Sequence, residues 1–491
     1  MTDMIRETGA AEPRFDLCIV GAGASGLNAL FAATRHLPAG ARIALVDKRA
    51  APGGMWNDVY DFVRLHQAHP MFTVGNIPWR GNAPPHYLAR GDEVLGHLGH
   101  CLSVIERSAD VTRLFGHSFV EAEEDGAGVT VHLDGPGGPK TLRADRAILS
   151  SGYEVEALDP LPLSSGAVRS TAPTRLSAED SDPQAPVYVI GGGKTGMDTC
   201  HMLIGRHPGR RVVLLNGNGV AFGVREITTP RGLARWWRGT PIAKIFKEIS
   251  LAYDGTNARE VIDGPAGRYV HSLDGQARNF LFGILSREEM TTIRNGLSEV
   301  IQDHLVDVID GADGPEMKLR SGASRGIEPG ALVVNCTGHL LRGALPPAPD
   351  YLSEGGRILR ITPRSAVHFL STVSAYFLTH LWYYGKLPHP DIHACDFAAV
   401  FQHDRELARV LGVVVSFQTQ CALVPSLPFK VFDECGLDLN RWYPLPRRVP
   451  ILIDLKRNGP AYVAHCQTVL DRVAAQTGLR IGPLMPRPVP A

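Results

Sequence analysis

Two stretches of the chain share one demanding pattern: an apolar strand-like run, three glycines spaced G-x-G-x-x-G, and the start of a helix. The first is FDLCIVGAGASGLNAL, residues 15–30, and the second is VYVIGGGKTGMDTCHML, residues 187–203. One such motif is weak evidence, because glycines gather in turns for many reasons. Two copies, each inside a strand–loop–helix–strand unit, predict an α/β fold with two Rossmann-like dinucleotide-binding domains.

Each glycine of the first loop has a physical role in such a unit. Gly21 permits the tight turn, Gly23 leaves room for a pyrophosphate, and Gly26 lets helix and strand pack closely. The helix then begins at Ala24 and Ser25, whose backbone N–H groups would face the phosphates. The spacing therefore predicts a dinucleotide on this loop.

Asp47 supports the same interpretation. It ends the next apolar strand, RIALVD, 21 residues beyond Gly26, and Lys48 follows it. A carboxylate at this place accepts hydrogen bonds from the ribose hydroxyls of a dinucleotide.

The residues after this strand distinguish FAD from NAD. Gly53, Gly54, Met55 and Trp56 read G-G-x-W, and here the chain resembles the class B flavoprotein monooxygenases and their relatives, which include flavin-containing monooxygenases, N-hydroxylases and Baeyer–Villiger enzymes. In that group G-G-x-W lies along the flavin part of FAD. The resemblance, which covers roughly residues 15–79 and 187–340, implies that the first loop binds FAD and that Trp56 packs along the flavin.

The second loop repeats the geometry with Gly191, Gly193 and Gly196, around Lys194 and Thr195. Because one flavoprotein cannot usefully hold two FADs in this way, the second loop is predicted to bind the nicotinamide reductant. The two units together give one electron path, from NAD(P)H to flavin.

The residue that corresponds to Asp47 in the second unit is Asn216. A site that prefers NAD usually places a carboxylate there, and its absence lets a 2′-phosphate approach. NADPH is therefore favoured over NADH. Arg225 and Lys194 are candidate phosphate ligands; the alternative is that both side chains are surface charges in contact with water. Thr337 and Gly338, at the end of the strand LVVNCTG, are predicted to bring backbone close to the nucleotide.

Relatives of the class B group usually carry F-x-G-x-x-x-H-x-x-x-[FYW] just before the second loop. Residues 164–193 contain no histidine and no matching aromatic residue, although residues 168–176 could do part of the same structural work. The chain thus lacks the best discriminator between a monooxygenase and a sister flavoprotein.

The candidate catalytic residues lie in VRLHQAHP, residues 63–70. Relatives use an asparagine shortly after G-G-x-W, so the resemblance implies that Gln67 or His66 takes this role, with Arg64 as a charge partner. The alternative is that His66 and Gln67 merely hold the loop together. Asp58 and Asp61 are expected to be solvated.

Composition limits the classes of partner that the chain is expected to bind. Lys and Arg total 50 and Asp and Glu total 50, so the zero net charge gives no global attraction to nucleic acid or to an anionic membrane. The eight cysteines show no C-x-x-C pair and no metal-ligand spacing, and no metal is predicted.

No apolar run of about 18 residues was found and the start does not resemble a signal peptide, so a cytoplasmic protein without a membrane span is expected. The partners predicted are a small-molecule substrate and molecular oxygen; homo-oligomerisation is left open.

The chain is expected to divide into a discontinuous FAD-binding domain, residues 1–165 and 340–491 with a carboxyl-terminal helical part, and an NADPH-binding domain, residues 166–339. Further expectations are an antiparallel meander over 119–153, a helical insertion at about 220–305 with helices over 233–250 and 287–304, and an extended or mobile tail over 480–491.

Two further segments have open interpretations. Residues 231–249 combine five basic residues with adjacent tryptophans, which fits a membrane-surface helix, a lid over an acidic substrate, or a packed helix with solvated charges. Residues 371–386 are rich in aromatics, and Tyr376, Trp382 and Tyr383 are expected either to line a pocket or to pack in the core.

The favoured function is a FAD-dependent monooxygenase, in which NADPH reduces the flavin and a flavin peroxide oxygenates a small molecule at nitrogen, at sulfur or at a ketone. The alternatives are a flavin-dependent dehydrogenase, oxidase or NAD(P)H reductase that never inserts oxygen, and a dinucleotide-binding protein without turnover.

Overall fold

The computed structural model describes residues 14–152, 159–275, 277, 279–338, 348–368, 370–387 and 391–484. Its amino-terminal part contains β1 (Arg14–Val20), α1 (Ala24–Thr34), β2 (Arg42–Asp47), two short 3-10 helices (Gly54–Asp58 and His69–Met71), α2 (Gly91–Ile105), β3 (Asp110–Phe115), β4 (Ser118–Asp125), β5 (Gly128–Gly135) and β6 (Gly138–Leu149).

These strands form one mixed sheet in the order β3-β2-β1-β6-β5-β4. β1 pairs in parallel with β2 and β6, and its central residues are fully buried, as expected for a strand covered on both faces. β4, β5 and β6 pair in antiparallel fashion. The meander predicted between the two glycine loops is therefore confirmed, except for Tyr153, which lies outside the described residues.

The middle part contains β7 (Arg169–Thr171), α3 (Pro173–Glu179), β8 (Val187–Ile190), α4 (Lys194–Arg206), β9 (Val212–Leu215), β10 (Val220–Val224), α5 (Arg225–Thr228), α6 (Ile242–Ala252), α7 (Ala258–Val261), β11 (Val270–His271), β12 (Asn279–Leu285), α8 (Arg287–Gly296), β13 (Glu299–Ile301), β14 (Leu305–Gly311), β15 (Gly314–Leu319), β16 (Ser324–Gly326) and β17 (Leu332–Asn335). Short 3-10 or π turns span Gly232–Trp236, Ile262–Ala266 and Gly267–Tyr269.

A second sheet, all parallel, has the order β13-β9-β8-β17-β7. β8, β9 and β17 are completely buried, and α4 follows β8 as α1 follows β1. Two Rossmann-like sheets, one extended by a meander, confirm the fold class predicted from the sequence.

One helix prediction is partly wrong. The sequence predicts a helix over residues 287–304, but α8 ends at Gly296 and β13 follows at Glu299. β13 pairs in parallel with β9 at the edge of the second sheet. Tertiary pairing with an exposed strand edge thus outweighs the local helical periodicity.

The helix predicted over residues 233–250 is also interrupted. The 3-10 helix that contains the tryptophans ends at Trp236, and α6 begins only at Ile242. Gly239 has a φ of 76° and Pro241 caps α6, so the chain turns between the two helices.

The carboxyl-terminal part contains β18 (Ile358–Arg360), β19 (Ser365–Ala366), α9 (Ser371–Tyr383), β20 (His393–Asp396), α10 (Phe397–His403), α11 (Arg405–Ser426), α12 (Phe429–Asp433), a 3-10 helix (Leu439–Trp442), α13 (Leu445–Thr477) and β21 (Ile481–Pro483). β18 pairs with β6, so the chain returns to its first sheet. The tail predicted to be extended contains β21, which pairs with β20, and residues 485–491 lie outside the described part.

α11 corrects the expectation that no apolar run is long enough to cross a membrane. It has 22 residues and a mean hydropathy of 1.5 over its most apolar window, and 83% of that window is buried inside the protein. Burial of this kind is what the core helix of a folded protein shows, so length and composition alone are weak evidence for a span.

A buried ion pair fixes α3 against the second sheet. Arg210 donates two hydrogen bonds to the Asp180 carboxylate, at 2.6 and 2.7 Å, and a third from Nε to the carbonyl oxygen of Ala185 at 2.7 Å. Both charged side chains are at most 4% exposed. Removing one partner would leave the other charge buried and uncompensated.

We therefore expect Asp180→Ala to lower the free energy of unfolding by about 3–5 kcal/mol. The matched control is Glu106→Ala, which breaks a bidentate pair with the half-exposed Arg113 and should cost less than about 1 kcal/mol. Chemical denaturation of both variants would measure the difference. Equal losses would contradict the importance assigned to the buried pair.

Candidate dinucleotide-binding sites

The first glycine loop is held against the carboxyl end of β6. Gly21 has a φ of 101°, and a Cβ built on it would lie 2.1 Å from the carbonyl oxygen of Ser150. A Cβ on Gly26 would lie 1.8 Å from the carbonyl oxygen of Gly21. Neither position tolerates a side chain, so both glycines are required for the turn itself.

The second loop reproduces this contact. Gly191 has a φ of 110° and faces the carbonyl oxygen of Cys336, 2.8 Å from a built Cβ, at the end of β17. A Cβ on Gly196 would lie 1.9 Å from the carbonyl oxygen of Gly191. The two loops therefore share one geometry, as their sequences predict.

Both helices that follow the loops begin without a side-chain cap. Gly23 and Gly193 are the N-cap residues of α1 and α4, and neither first turn carries an acidic side chain. A Cβ on Gly193 would meet nothing within 4 Å. The N–H groups at these helix starts are thus available to an anion, and the open space over Gly193 fits a pyrophosphate.

Asp47 holds the first loop in place. It is buried at the end of β2, where Oδ2 accepts from the N–H of Ala22 at 2.7 Å and Oδ1 accepts from that of Arg49 at 2.9 Å. Each oxygen keeps a second lone pair for a ribose hydroxyl. Lys48 is exposed.

Beside the same loop lie the predicted residue Ser25 and two serines that were not among the predicted site residues, Ser150 and Ser371. Ser150 Oγ is buried and has no hydrogen-bond partner among the described residues. Ser25 Oγ, in the first turn of α1, lies 3.1 Å from Ser371 Oγ at the start of α9. A buried hydroxyl without a partner fits a site that a polar ligand completes. The small residues in AILSSG, residues 147–152, were the signal for it.

The G-G-x-W segment folds over the first loop. Gly53 and Gly54 have φ values of 133° and 56°, and the N–H of Gly53 donates to the carbonyl oxygen of Ala22 at 2.9 Å. Trp56 is half-buried and packs edge-to-face on Phe72, with ring centroids 5.6 Å apart. Met55 next to it is exposed.

The residues after Trp56 reach across to the second loop. The Tyr60 hydroxyl donates to Asp198 Oδ2 at 2.8 Å, and Lys194 forms an ion pair with the other oxygen of Asp198. Burial, followed by Asp198, raises the pKa of Tyr60 well above its usual value. Asp61 accepts from Ser177 at 3.0 Å, and Asp58 pairs with Arg49, so neither carboxylate is simply solvated.

Lys194 is thus turned back along α4 onto Asp198, and Thr195 follows it on the first turn. Tyr60 and Asp198 carry no motif that the sequence analysis could have used. A cavity of about 270 Å³ separates residues 61–65 from α4, with Lys194, Asp198 and His201 in its wall.

Asn216 and Arg225 occupy different places. Asn216 is buried at the end of β9, and its Oδ1 fills the space where a Cβ on Gly192 would lie, 1.8 Å away. Arg225 is buried, forms an ion pair with Glu289 at 2.8 Å, and donates from Nε to the carbonyl oxygen of His66 at 2.8 Å. Its Nη2 has no partner among the described residues.

At the end of β17, Asn335 Oδ1 accepts from both the N–H and the hydroxyl of Thr337, at 3.2 and 2.6 Å. Gly338, the next residue, is exposed. These contacts fix the backbone of the strand end beside Gly191.

The three candidate catalytic residues differ in environment. Burial, then the cations Lys194 and Arg225, lower the pKa of His66 to about 3 in spite of Glu289, so the ring is neutral at pH 7. Gln67 Oε1 is buried and has no hydrogen-bond partner among the described residues. Arg64 is exposed and donates to the carbonyl oxygen of Leu88 at 3.1 Å. Gln67 therefore has the clearest unused acceptor.

A mostly apolar cavity of about 110 Å³ lies among α6, α9, α11 and α13. Its wall includes Leu370 and Val373 at the start of α9, next to the Ser25–Ser371 contact. It also includes Cys435 and Leu437, which flank Gly436, whose N–H donates to the carbonyl oxygen of Gly75 at 2.8 Å. Its polar side chains include His368 and Gln420, whose ring and amide nitrogens lie 3.4 Å apart, and burial lowers the pKa of His368 to about 3. The start of α9 therefore contributes both to the cavity, through Leu370 and Val373, and to the contact with the first turn of α1, through Ser371.

The aromatic residues of α9 resolve an open interpretation. Val373 and Phe377 line the cavity, whereas Tyr376 is fully buried and donates to the carbonyl oxygen of Val431 at 2.7 Å. Trp382 is buried and donates to the carbonyl oxygen of Gly356 at 2.9 Å, and the Tyr383 ring stacks on that of His36. The three predicted aromatics pack in the core and do not line this cavity.

Residues 15–224 match the family model described as pyridine nucleotide-disulphide oxidoreductase. Members of that family bind FAD and NAD(P)H, which confirms the two predicted cofactors as FAD and NAD(P)H and confirms the resemblance to FAD/NAD(P) oxidoreductases. In the described part of the chain no group of three or more histidine, cysteine or acidic side chains could hold a metal ion.

Uncharacterised proteins of Mycobacterium tuberculosis (strain H37Rv) and Mycobacterium bovis are 28% identical to the chain over 203 residues. The match covers 38% of this chain and 36% of each relative, so the chain spans only about a third of the length of these relatives.

Solved structures are more distant. A flavin-containing monooxygenase from Stenotrophomonas maltophilia is 14% identical with a TM-score of 0.41, covering 71% of this chain and 90% of its own. A cyclohexanone monooxygenase mutant from Rhodococcus sp. Phi1 bound to NADP⁺ is 14% identical, with a TM-score of 0.45 and coverage of 71% and 81%. A bacillithiol disulfide reductase from Bacillus cereus is 11% identical, with a TM-score of 0.45 and coverage of 76% and 98%.

Gly193→Ala provides a direct test of the second loop. The added methyl group enters open space, so the fold should lose less than about 1 kcal/mol, mainly from the poorer N-cap. It would, however, occupy the space expected for the pyrophosphate. We expect the Kd for NADP⁺, measured by calorimetry, to rise at least about tenfold while the FAD content stays that of the wild type.

The matched control is Gly205→Ala, which lies on the same helix and also adds a methyl group to open space. It should leave NADP⁺ binding unchanged. If both variants bind NADP⁺ as the wild type does, the nucleotide does not lie over Gly193.

Proposed function

We propose that this protein is a FAD-dependent monooxygenase that uses NADPH to reduce the flavin and transfers one oxygen atom of O₂ to a small organic molecule. The observation that carries the proposal is the connection between the two glycine loops. We call the parts of the chain that carry the first and the second glycine loop the first and the second module. The segment from the G-G-x-W motif to Gln67 covers the first loop, and in this segment the hydroxyl of Tyr60 and the backbone carbonyl of His66 bind Asp198 and Arg225 of the second module. A reductant on one loop would therefore lie next to a flavin on the other.

Under this proposal residues 166–339 form the NADPH-binding domain, and residues 1–165 and 340–491 form the FAD-binding domain. The return of β18 to the first sheet supports the second part of this division. The helical elements from α9 to α13 would then belong to the flavin side, where they enclose the apolar cavity.

NADPH is proposed as the reductant because Asn216 puts no negative charge at the end of β9. Its side chain lies against Gly192 of the second loop, where a carboxylate would repel a 2′-phosphate. Lys194 is the cation nearest this loop on α4. Because it is already paired with Asp198, phosphate binding by Lys194 would require that ion pair to open or to be shared.

When bound, reduced flavin supplies the activation of O₂, with one oxygen atom going to the substrate and the other to water. The chain's own residues would exclude bulk water and hold hydrogen bonds near the reacting atoms. Gln67 offers a buried carbonyl oxygen to a donor on the cofactor or substrate, and the neutral ring of His66 would add no positive charge. The cavity beside α9 is the proposed substrate site, and its walls favour an apolar molecule.

A flavin-dependent dehydrogenase, oxidase or NAD(P)H reductase is the second candidate. It is favoured by the absence of the histidine-containing signature before the second loop and by Gln67 where relatives carry asparagine. A reductase that works through its own dithiol is disfavoured. All eight cysteines lie within the described residues, and all are buried and unbridged. Burial raises the pKa of several of their thiols, including Cys18 and Cys336, to about 12.

The proposal is tested by mixing the oxidised protein with NADPH or NADH in the absence of oxygen and following the flavin absorbance. NADPH should bleach the flavin at least about tenfold faster than NADH, since the missing carboxylate favours the 2′-phosphate. Addition of ¹⁸O₂ with a panel of amines, sulfides and ketones should then give a product that carries ¹⁸O. Bleaching followed by complete conversion of O₂ to hydrogen peroxide with every compound would favour an oxidase. Absence of bleaching by either nucleotide would exclude the monooxygenase and the NAD(P)H reductase, and would leave a dehydrogenase or oxidase whose flavin is reduced by its own substrate.

Gln67→Met separates a chemical role from a structural one. Since Oε1 has no partner, its removal should leave the free energy of unfolding within about 1 kcal/mol of the wild type or raise it. Flavin reduction should stay fast, whereas the hydrogen peroxide released per NADPH consumed should increase severalfold. Gln184→Met, at an exposed position, is the control and should change neither quantity. A destabilised Gln67→Met with unchanged peroxide release would assign Gln67 to loop structure.

A further inference from the structure

Six large apolar side chains are exposed on one side of the protein. Leu233, Trp236 and Trp237 are 71%, 47% and 67% exposed, and Leu445, Val449 and Ile453 are 62%, 43% and 58% exposed. The first three belong to the 3-10 helix Gly232–Trp236 and the residue after it, and the others are spaced by four along α13. We call these six residues the apolar patch.

The two halves of the apolar patch are fixed to each other. Arg447, between Leu445 and Val449, donates to the carbonyl oxygens of Arg235 at 3.1 Å and of Gly239 at 2.8 Å. Trp442 Nε1 donates to the carbonyl oxygen of Pro230 at 2.9 Å. The tryptophans and the α13 stripe therefore form one continuous, ordered surface.

The surroundings of the apolar patch are mainly basic, with Glu248, Asp438 and Asp454 at its edges; of these, Glu248 pairs with Arg268 and Asp454 with Lys247. Residues 231–247 contain five Lys and Arg and no Asp or Glu, and residues 439–453 contain three Arg and no acidic residue. Seven of these eight cations form no ion pair with any described residue: Arg231, Arg235, Arg238, Lys244, Arg441, Arg447 and Arg448. A chain with no net charge thus has one strongly basic surface, centred on exposed tryptophans.

These features together indicate what kind of partner binds the apolar patch. A contiguous exposed apolar surface of this kind indicates a binding face, because exposed apolar side chains without such a role are usually scattered singly over the surface. Tryptophan and aliphatic side chains ringed by Arg and Lys suit the boundary between water and lipid, where the rings and chains enter the acyl region and the cations meet anionic headgroups. An acidic protein partner would satisfy the cations without needing three large aliphatic chains on one helix face.

We propose that the apolar patch docks this protein on the surface of an anionic lipid bilayer. The docking is peripheral, since the apolar helix α11 is buried in the core and takes no part in it. The inference goes beyond the proposed reaction and does not depend on it. If the protein is a monooxygenase, docking would bring the apolar cavity close to the lipid. α13 contributes Arg448 and Ile451 to the wall of this cavity and α6 contributes Phe246, and the apolar patch is formed by α13 and by the segment just before α6.

Cosedimentation of the flavin-loaded protein with lipid vesicles tests the docking. We expect binding to vesicles of phosphatidylcholine that contain about one third phosphatidylglycerol, and at least about tenfold weaker binding to pure phosphatidylcholine. An increase in salt from about 0.15 M to about 0.5 M should weaken the binding to the anionic vesicles severalfold.

Two sets of variants keep the test specific. The double variant Trp237→Ser and Leu445→Ser removes apolar contacts, and Arg235→Gln with Arg238→Gln removes charge; each should reduce vesicle binding at least about fivefold. The control is Val120→Ser with Val306→Ser, which removes two equally exposed apolar side chains elsewhere. It should bind like the wild type, and circular dichroism should show that all three variants are folded.

Several outcomes would overturn the proposal. The wild type could fail to bind anionic vesicles, or the patch variants could bind as well as the control. Sedimentation velocity without lipid tests whether a second copy of the chain occupies the apolar patch instead. In that case the wild type would be a dimer, the Trp237 and Leu445 double variant would be a monomer, and neither would bind vesicles. Flavin reduction by NADPH, measured in parallel, reports the proposed function independently.

Discussion

The architecture depends on a backbone contact that leaves no room for a side chain. In each module the first glycine of the loop lies against the carbonyl oxygen at the end of the neighbouring parallel strand, Ser150 in one case and Cys336 in the other. The third glycine then packs its Cα on the carbonyl oxygen of the first. This contact sets the angle at which α1 and α4 leave their sheets, and so it determines where an anion meets the helix starts.

A second constraint joins the modules. The backbone at His66 and the hydroxyl of Tyr60 use Arg225 and Asp198 of the second module as partners, and Glu289 and Lys194 complete these pairs. Such groups are costly to bury unless each has a partner. Lys194 and Arg225, the two cations predicted to face a nucleotide phosphate, therefore take part in the contacts that hold the two modules together.

Much of this could be predicted from local sequence patterns. The glycine loops, the strands before them and the meander after Phe119 are encoded by residues that are close in the chain, and these predictions are confirmed. β13 was missed because three residues carry too little periodicity to overrule the helical pattern before them. The roles of Arg225 and Tyr60 depend on partners more than sixty residues away, which no spacing rule identifies.

The apolar cavity was beyond prediction for the same reason. Its walls come from α6, α9, α11 and α13, which are distributed between residues 242 and 477 of the chain. The aromatic residues of α9 attracted attention because they are conspicuous, but their size favours the core, and the cavity is lined by Val373 and Phe377 from another face of the same helix. Helical periodicity alone does not tell which face meets a void.

The pairing of β18 with β6 has a consequence for how the protein is made. Ile358 of β18 lies beside Ala147 of β6, a separation of 358 − 147 = 211 residues, and the intervening chain includes the whole second sheet. During synthesis the first sheet stays incomplete along β6 until β18, and α9 after it, have left the ribosome. Flavin would then be captured only by a nearly finished chain, so that loading of the cofactor could serve as a checkpoint on the completeness of the polypeptide.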